Sequence, residues 1–101
     1  MSNNLMLRPI ARQEISASTT SARNSTALTR DDVRVFCATS DVYINIGNST
    51  VTATTATSGS VYFLPSGQAF DFSTKGATHI AVILASGTAT VHITELTNKA
   101  F

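Results

Sequence analysis

The chain has no tryptophan, one cysteine and two prolines in 101 residues, and only 13% of it is charged. Each shortage excludes something. A lone Cys37 cannot form an internal disulfide, so no disulfide framework holds the fold. The charged share is about half of what a soluble domain usually carries. Seven basic and six acidic residues leave a net charge of +1. No basic stripe with interleaved aromatics is present, which argues against nucleic acid as a partner. The longest apolar runs fall far short of the roughly 20 residues that span a bilayer, so no membrane partner is expected. The opening Met1-Ser-Asn-Asn-Leu-Met-Leu-Arg-Pro9 lacks the basic start and apolar centre of a secretory signal, and synthesis in a cytoplasm is the expectation.

Serine and threonine occupy the polar positions that ions would otherwise take. A hydroxyl surface suits a protein packed against neighbours, because few ions must be desolvated. At 43% hydrophobic, the chain has material for one core and no room for a second. Period-2 alternation dominates. Val33, Val35 and Cys37 share one face of a strand, and Val42, Ile44 and Ile46 share another, opposed by Tyr43 and Asn45. Ser60-Val-Tyr-Phe-Leu64 reads as a strand stopped by Pro65-Ser-Gly67, and Gln68-Ala-Phe-Asp-Phe-Ser73 places Phe70 and Phe72 on one face. Val51 to Thr57 is Thr-rich and fits a strand or a loop.

The clearest stretch is Gly76 to Thr94. It reads as a hairpin turning at Ser86-Gly87, with Ile80 facing Ile93, Val82 facing Val91 and Leu84 facing Ala89. His79, Ala81, Ile83, Thr88, Thr90, His92 and Thr94 fall on its other face.

The expected fold is all-β: a small antiparallel β-sandwich or jelly-roll-like barrel of roughly seven or eight short strands. Residues 1–29 read as an extended N-terminal arm with one short strand around Ile15 and Ala17, residues 30–96 as the sandwich, and residues 97–101 as a tail. The arm either covers an edge of its own sheet or reaches another subunit.

Chemistry-bearing patterns are scarce. His79 and His92 would be diagonal neighbours in the hairpin register, roughly 7–8 Å apart. A zinc site needs three or four ligands, and no cysteine or carboxylate is spaced to complete one. Glu14, Asp31, Asp32, Asp41, Asp71 and Glu95 are scattered, with no hint of a converging acid pair. Cys37 alternates with Val33 and Val35 and reads as a small buried hydrophobe. Asn24-Ser-Thr26 and Asn48-Ser-Thr50 match the N-glycosylation pattern, which chance supplies in so Ser/Thr-rich a chain. Tyr43, Tyr62, Phe36, Phe63, Phe70 and Phe72 are candidates for a sugar-stacking platform, although their alternating positions suit core or interface better. These readings leave no catalytic residue, cofactor or metal ligand, and no enzyme activity is expected.

One pattern spans most of the chain. It comprises Ile15-Ser-Ala-Ser-Thr-Thr-Ser-Ala22, Val33-Arg-Val-Phe36 and Tyr43-Ile-Asn-Ile-Gly47 with its Thr/Ala tract. Leu64-Pro-Ser-Gly67 then precedes Phe70-Asp-Phe72, and Gly76-Ala-Thr-His-Ile-Ala-Val-Ile83 and Gly87-Thr-Ala-Thr-Val-His-Ile-Thr94 complete it. This resembles small β-sandwich structural proteins of tailed-bacteriophage and prophage virions. The likeness covers the chain from Ile15 onward, and residues 1–14 and 99–101 lie outside it. It implies a capsid decoration or cement protein on the particle surface, with the major capsid protein and further copies of itself, a homotrimer above all, as partners. A neck, tail or fibre-attachment position is the alternative, and a carbohydrate-binding module a more distant one. On this reading Leu5, Leu7, Arg8 and Ile10 of the arm are the residues expected to contact the capsid protein.

Overall fold

A computed structural model describes residues 6–99. These residues form eight strands: β1 (Met6–Ala17), β2 (Ala22–Arg23), β3 (Asp32–Phe36), β4 (Val42–Gly47), β5 (Tyr62–Leu64), β6 (Ala69–Ser73), β7 (His79–Ile83) and β8 (Ala89–Lys99). They make two antiparallel four-stranded sheets, one in the order β1-β8-β3-β6 and the other in the order β2-β7-β4-β5. The expectation of an all-β sandwich is met.

The order follows a simple rule. β1 pairs with β8, β2 with β7, β3 with β6 and β4 with β5, each antiparallel. The chain is thus one long hairpin, with the β4–β5 connection at its tip, rolled until β3 also meets β8 and β4 also meets β7. This is the winding of a jelly roll. Between the two halves of the rolled hairpin, the crossovers from sheet to sheet travel in pairs, each tied across by hydrogen bonds. Leu84 N–H donates to Ser18 O at one corner, Leu28 N–H to Thr78 O at the next, and Gly67 N–H to Cys37 O at the third.

The core fills the space between the sheets. Val33, Val35, Cys37, Val42, Ile44, Leu64, Ile80, Val82, Val91 and Ile93 are wholly buried, as the period-2 pattern requires. Cys37 lies among them as a free thiol.

Two expectations fail here. The segment from Gly76 to Thr94 is not a hairpin: β7 belongs to one sheet and β8 to the other. Its inward face was assigned correctly, since Ile80, Val82, Leu84, Val91 and Ile93 are all buried, but they meet across the core and not side by side. Alternation is the same in both arrangements, so periodicity cannot separate them. Gly87, at φ +77°, turns the crossover. His79 and His92 accordingly sit in different sheets and are not diagonal neighbours.

The second concerns the ends: the N-terminal segment does cover an edge of its own sheet, but as a strand of the sandwich and not as an arm outside it. From Met6 the supposed arm is a twelve-residue strand, registered on β8 from Met6↔Lys99 to Ala17↔Ala89, and Ile15, Ala17 and Leu28 enter the core. The supposed tail continues β8 through Lys99. Pro9 is accommodated because β1 is an edge strand, where a missing N–H need not break a ladder, and the register slips by one residue between Pro9 and Ala11. The Thr-rich stretch is a loop with one 3₁₀ turn at Thr57–Gly59, where a Cβ on Gly59 would run into Thr54.

Two buried polar side chains hold the corners. Asn24 is 2% exposed; its Oδ1 accepts from Ile80 N–H, and its Nδ2 donates to Thr26 O and Thr78 O. Glu95 Oε1 accepts from Thr29 N–H, Thr29 Oγ1 and Arg30 N–H. Of the two glycosylation-like sites, the first is therefore a buried clamp, while Asn48 is exposed and accepts from Thr50 N–H and Oγ1 in its own turn. Asn24→Ala strips the Ile80 N–H of its partner and should cost about 2–3 kcal/mol in urea unfolding, against less than about 1 kcal/mol for Asn48→Ala. Equal losses for the two variants would refute the assignment.

Candidate functional site

The described residues offer three surfaces. The first is the overhang of β1 and β8. β3 leaves β8 at Asp32↔Leu96, so Met6–Arg8 and Thr97–Lys99 pair only with each other, as a two-stranded ribbon beyond the four-stranded sheet. Arg8, Pro9, Ile10, Ala11 and Arg12 are all exposed, although consecutive strand residues face opposite ways. Neither face of this part of β1 is covered. Of the residues expected to bind a partner, Arg8 stands on this ribbon opposite Thr97, and Ile10 lies at its root, 37% exposed at the register slip beside the four-stranded sheet. Leu7 is described by its backbone alone, opposite Asn98, and Leu5 lies outside the described residues.

The second is the outer face of the β1-β8-β3-β6 sheet. Register places Glu14, His92, Phe36 and Ala69 in one row across it, and Arg12, Thr94, Arg34 and Asp71 in the next. Arg12 Nη1 donates to Glu14 Oε2 at 2.8 Å and lies 2.9 Å from His92 Nδ1. Arg34 donates through Nε and Nη2 to the two oxygens of Asp71, at 2.6 and 2.8 Å. The fork-shaped hydrogen bonding from Arg34 holds the Asp71 carboxyl below the ordinary carboxylate range; partial burial opposes the shift, and the arginine charge adds to it. The same bond raises the Arg34 guanidinium further. This is a solvated charged face, with the ions satisfying one another.

The third surface is the edge where β5 and β6 leave the sandwich open. β5 has only three residues and does not cover β6. Phe70 and Phe72, which point inward opposite Val35 and Val33, remain half-buried as a result. Tyr62 stacks on Phe70 with ring centroids 4.0 Å apart, and Phe70 lies 5.5 Å from Phe72. Together with Ile46, Val61 and Ser73 they line an apolar slot of about 280 Å³. Around the corner, on the outer face, Phe63 meets Tyr43 at 5.1 Å. Among the described residues Ile10, Val61 and Phe63 are the large hydrophobics left exposed, and two of the three flank this edge.

The aromatic residues singled out from the sequence thus divide into three places. Tyr62, Phe70 and Phe72 line the slot, Tyr43 and Phe63 pair outside it, and Phe36 lies on the charged face 6.3 Å from His92. A sugar platform needs a free ring face and several converging hydrogen-bond groups. The slot's rings stack on one another, and Ser73 and Tyr62 are the residues lining it that carry a hydroxyl. A hydroxyl-rich depression of about 270 Å³ lies elsewhere, between the β3–β4, β5–β6 and β7–β8 connections. Its Asp41 carboxylate is engaged in accepting from Ser66 N–H. No group of three or more His, Cys, Asp or Glu side chains comes together to hold a metal among the described residues.

The chain is thus a small jelly-roll sandwich whose described surface comprises an overhanging ribbon, a charged sheet face and an apolar slot. Comparison with family models, curated proteins and solved structures returned no match.

The Arg34–Asp71 pair makes a pH prediction. A carboxyl whose native pKa is lowered stabilises the fold above its unfolded value, near 4, and loses that contribution as pH falls through the native value. Both side chains are more than a third exposed, at 46% and 36%, so the increment should stay below about 1 kcal/mol. The melting-temperature gap between wild type and Asp71→Asn should close as pH is lowered from about 6 towards 2. A gap that stays constant would show that the charge contributes nothing.

Proposed function

We propose that this chain is a structural protein of a tailed-phage virion, a capsid decoration or cement protein that binds the outer shell and stabilises contacts between capsomers. It is made in the host cytoplasm and resides on the capsid surface. The observation that supports this reading is the outer stretch of β1, where Arg8 stands on the β1/β8 ribbon and Ile10 at its root, with every residue from Arg8 to Arg12 exposed. Two strands alone are marginal in water, and a ribbon of this kind gains most from a protein surface that covers it. The resemblance carried by Ile15–Ala22, Val33–Phe36 and Gly76–Thr94 supplies the class of that surface, the major capsid protein. Low charge and abundant hydroxyls suit the repeated close contacts of a shell. The same ribbon would serve at a neck, tail or fibre attachment, and copy number separates these positions.

Quantitative mass spectrometry of purified particles should find this protein in a ratio of similar order to the major capsid protein; a few per cent would move it to the neck or tail. The ribbon is tested by Arg8→Glu combined with Ile10→Asp. Both positions are exposed, so the sandwich should melt as the wild type does while occupancy on particles falls at least about tenfold. Undiminished occupancy would exclude the ribbon as the contact. Deleting residues 1–14 is a poorer test, because it removes most of β1 and uncovers β8.

A further inference from the structure

The charges of this molecule are distributed unevenly. Every residue from Val42 to Phe70 is uncharged, a stretch that contains β4, the 3₁₀ turn, β5 and the start of β6. Charged side chains such as Arg12, Glu14, Arg34 and Asp71 lie on the outer face of the other sheet. The uncharged stretch supplies Ile46, Val61, Tyr62 and Phe70 of the slot at the open edge, and Phe72 and Ser73 complete it. Val61 is 66% exposed and Phe63 45% exposed, flanking a slot built on stacked aromatic rings. Interface cores differ from ordinary surface in this way, losing charged residues and gaining aromatic ones.

We infer that copies of this chain meet through this edge, with Val61 and Phe63 converging on a shared symmetry axis. The run supplies no counter-charge, and Asp71 of the neighbouring β6 points to the other face and is already bonded to Arg34, so a charged partner would be desolvated with little to offset the cost. The partner face must itself be uncharged and apolar. The same edge of a second copy meets that requirement, and identical patches are brought together by rotational symmetry. β5 is too short, at three residues, to add a useful ladder, and Pro65 follows it directly. Side chains therefore carry the contact: the exposed Val61 and Phe63 of one copy pack against those of the next and close both slots to water.

This inference concerns the isolated chain and holds or fails apart from the virion reading. Sedimentation velocity on the purified full chain across a dilution series should show a species of two or three times the 10.6 kDa chain mass. Phe63→Lys and Val61→Lys should each weaken association at least about tenfold. Both side chains are exposed, so the variants should unfold cooperatively with the urea midpoint the wild type shows at its lowest concentration, where it is dissociated, which separates lost association from lost folding. Thr90→Lys, exposed on the charged sheet, should associate as the wild type does. A wild-type chain of 10.6 kDa at every concentration would overturn the inference, as would association that survives both lysines.

Discussion

The structure depends on strands pairing from the outside of the sequence inward. β1 finds β8, β2 finds β7, β3 finds β6, and β4 turns directly onto β5. Once the long hairpin is rolled, each crossover runs beside its counterpart. Loop backbone that would otherwise lie unsatisfied finds a neighbour there, through Leu84–Ser18, Leu28–Thr78 and Gly67–Cys37. The buried clamps extend this logic. Asn24 ties the β2–β3 connection to β7, and Glu95 ties it to β8, so one crossover is anchored to both sheets. With so little charge and no disulfide, these corners and the aliphatic core hold the sandwich together.

The same winding determines where the molecule is incomplete. A sheet rolled from a hairpin ends in edges, and here the edges are unequal. β2 has two residues and β5 three, while β1 has twelve. Short edges offer little template for another strand, which limits unwanted pairing. The price of a short β5 is the uncovered side of Phe70 and Phe72. The length of β1 carries it beyond β3, which leaves the ribbon. Both candidate contact surfaces thus arise from mismatched strand lengths.

The fold class was legible in the sequence because burial in a sandwich has period two. Val33, Val35, Cys37, Val42, Ile44, Ile80, Val82, Val91 and Ile93 all face the core as their alternation indicated. Pairing was not legible. Two alternating runs joined by Ser86-Gly87 look alike whether they lie side by side or face each other across a core. The arm was set apart from the sandwich, whereas β1 is a long edge strand of it, a place that tolerates Pro9. Glu95 left a signal that went unused: it shares the parity of Val91 and Ile93, so a continuing strand had to turn it inward. Asn24 left none, since nothing in Asn24-Ser-Thr26 distinguishes a buried clamp from an exposed turn. The exposed surfaces were partly legible: Arg8 and Ile10, expected to meet a partner, are both exposed, while the uncharged run from Val42 to Phe70 was present in the sequence but its place at an edge depended on knowing where β5 lies.

Nested pairing also has a consequence for how the chain is assembled. The β4–β5 contact is the most local and the β1–β8 contact the most distant, so closing the rolled hairpin from its tip brings together progressively more remote segments. Topologies of this kind fold slowly, because the entropy of closing long loops is lost before the distant contacts form. Met6 and Lys99 stand opposite each other in the ladder, where paired backbones are about 5 Å apart. A short peptide bridge between them, with the chain reopened in the exposed loop near Thr55, would give a circular permutant with the same eight strands. In that permutant β1 and β8 become sequence neighbours and β4 and β5 the remote pair. The hairpin would then close in the reverse order, onto the same sandwich.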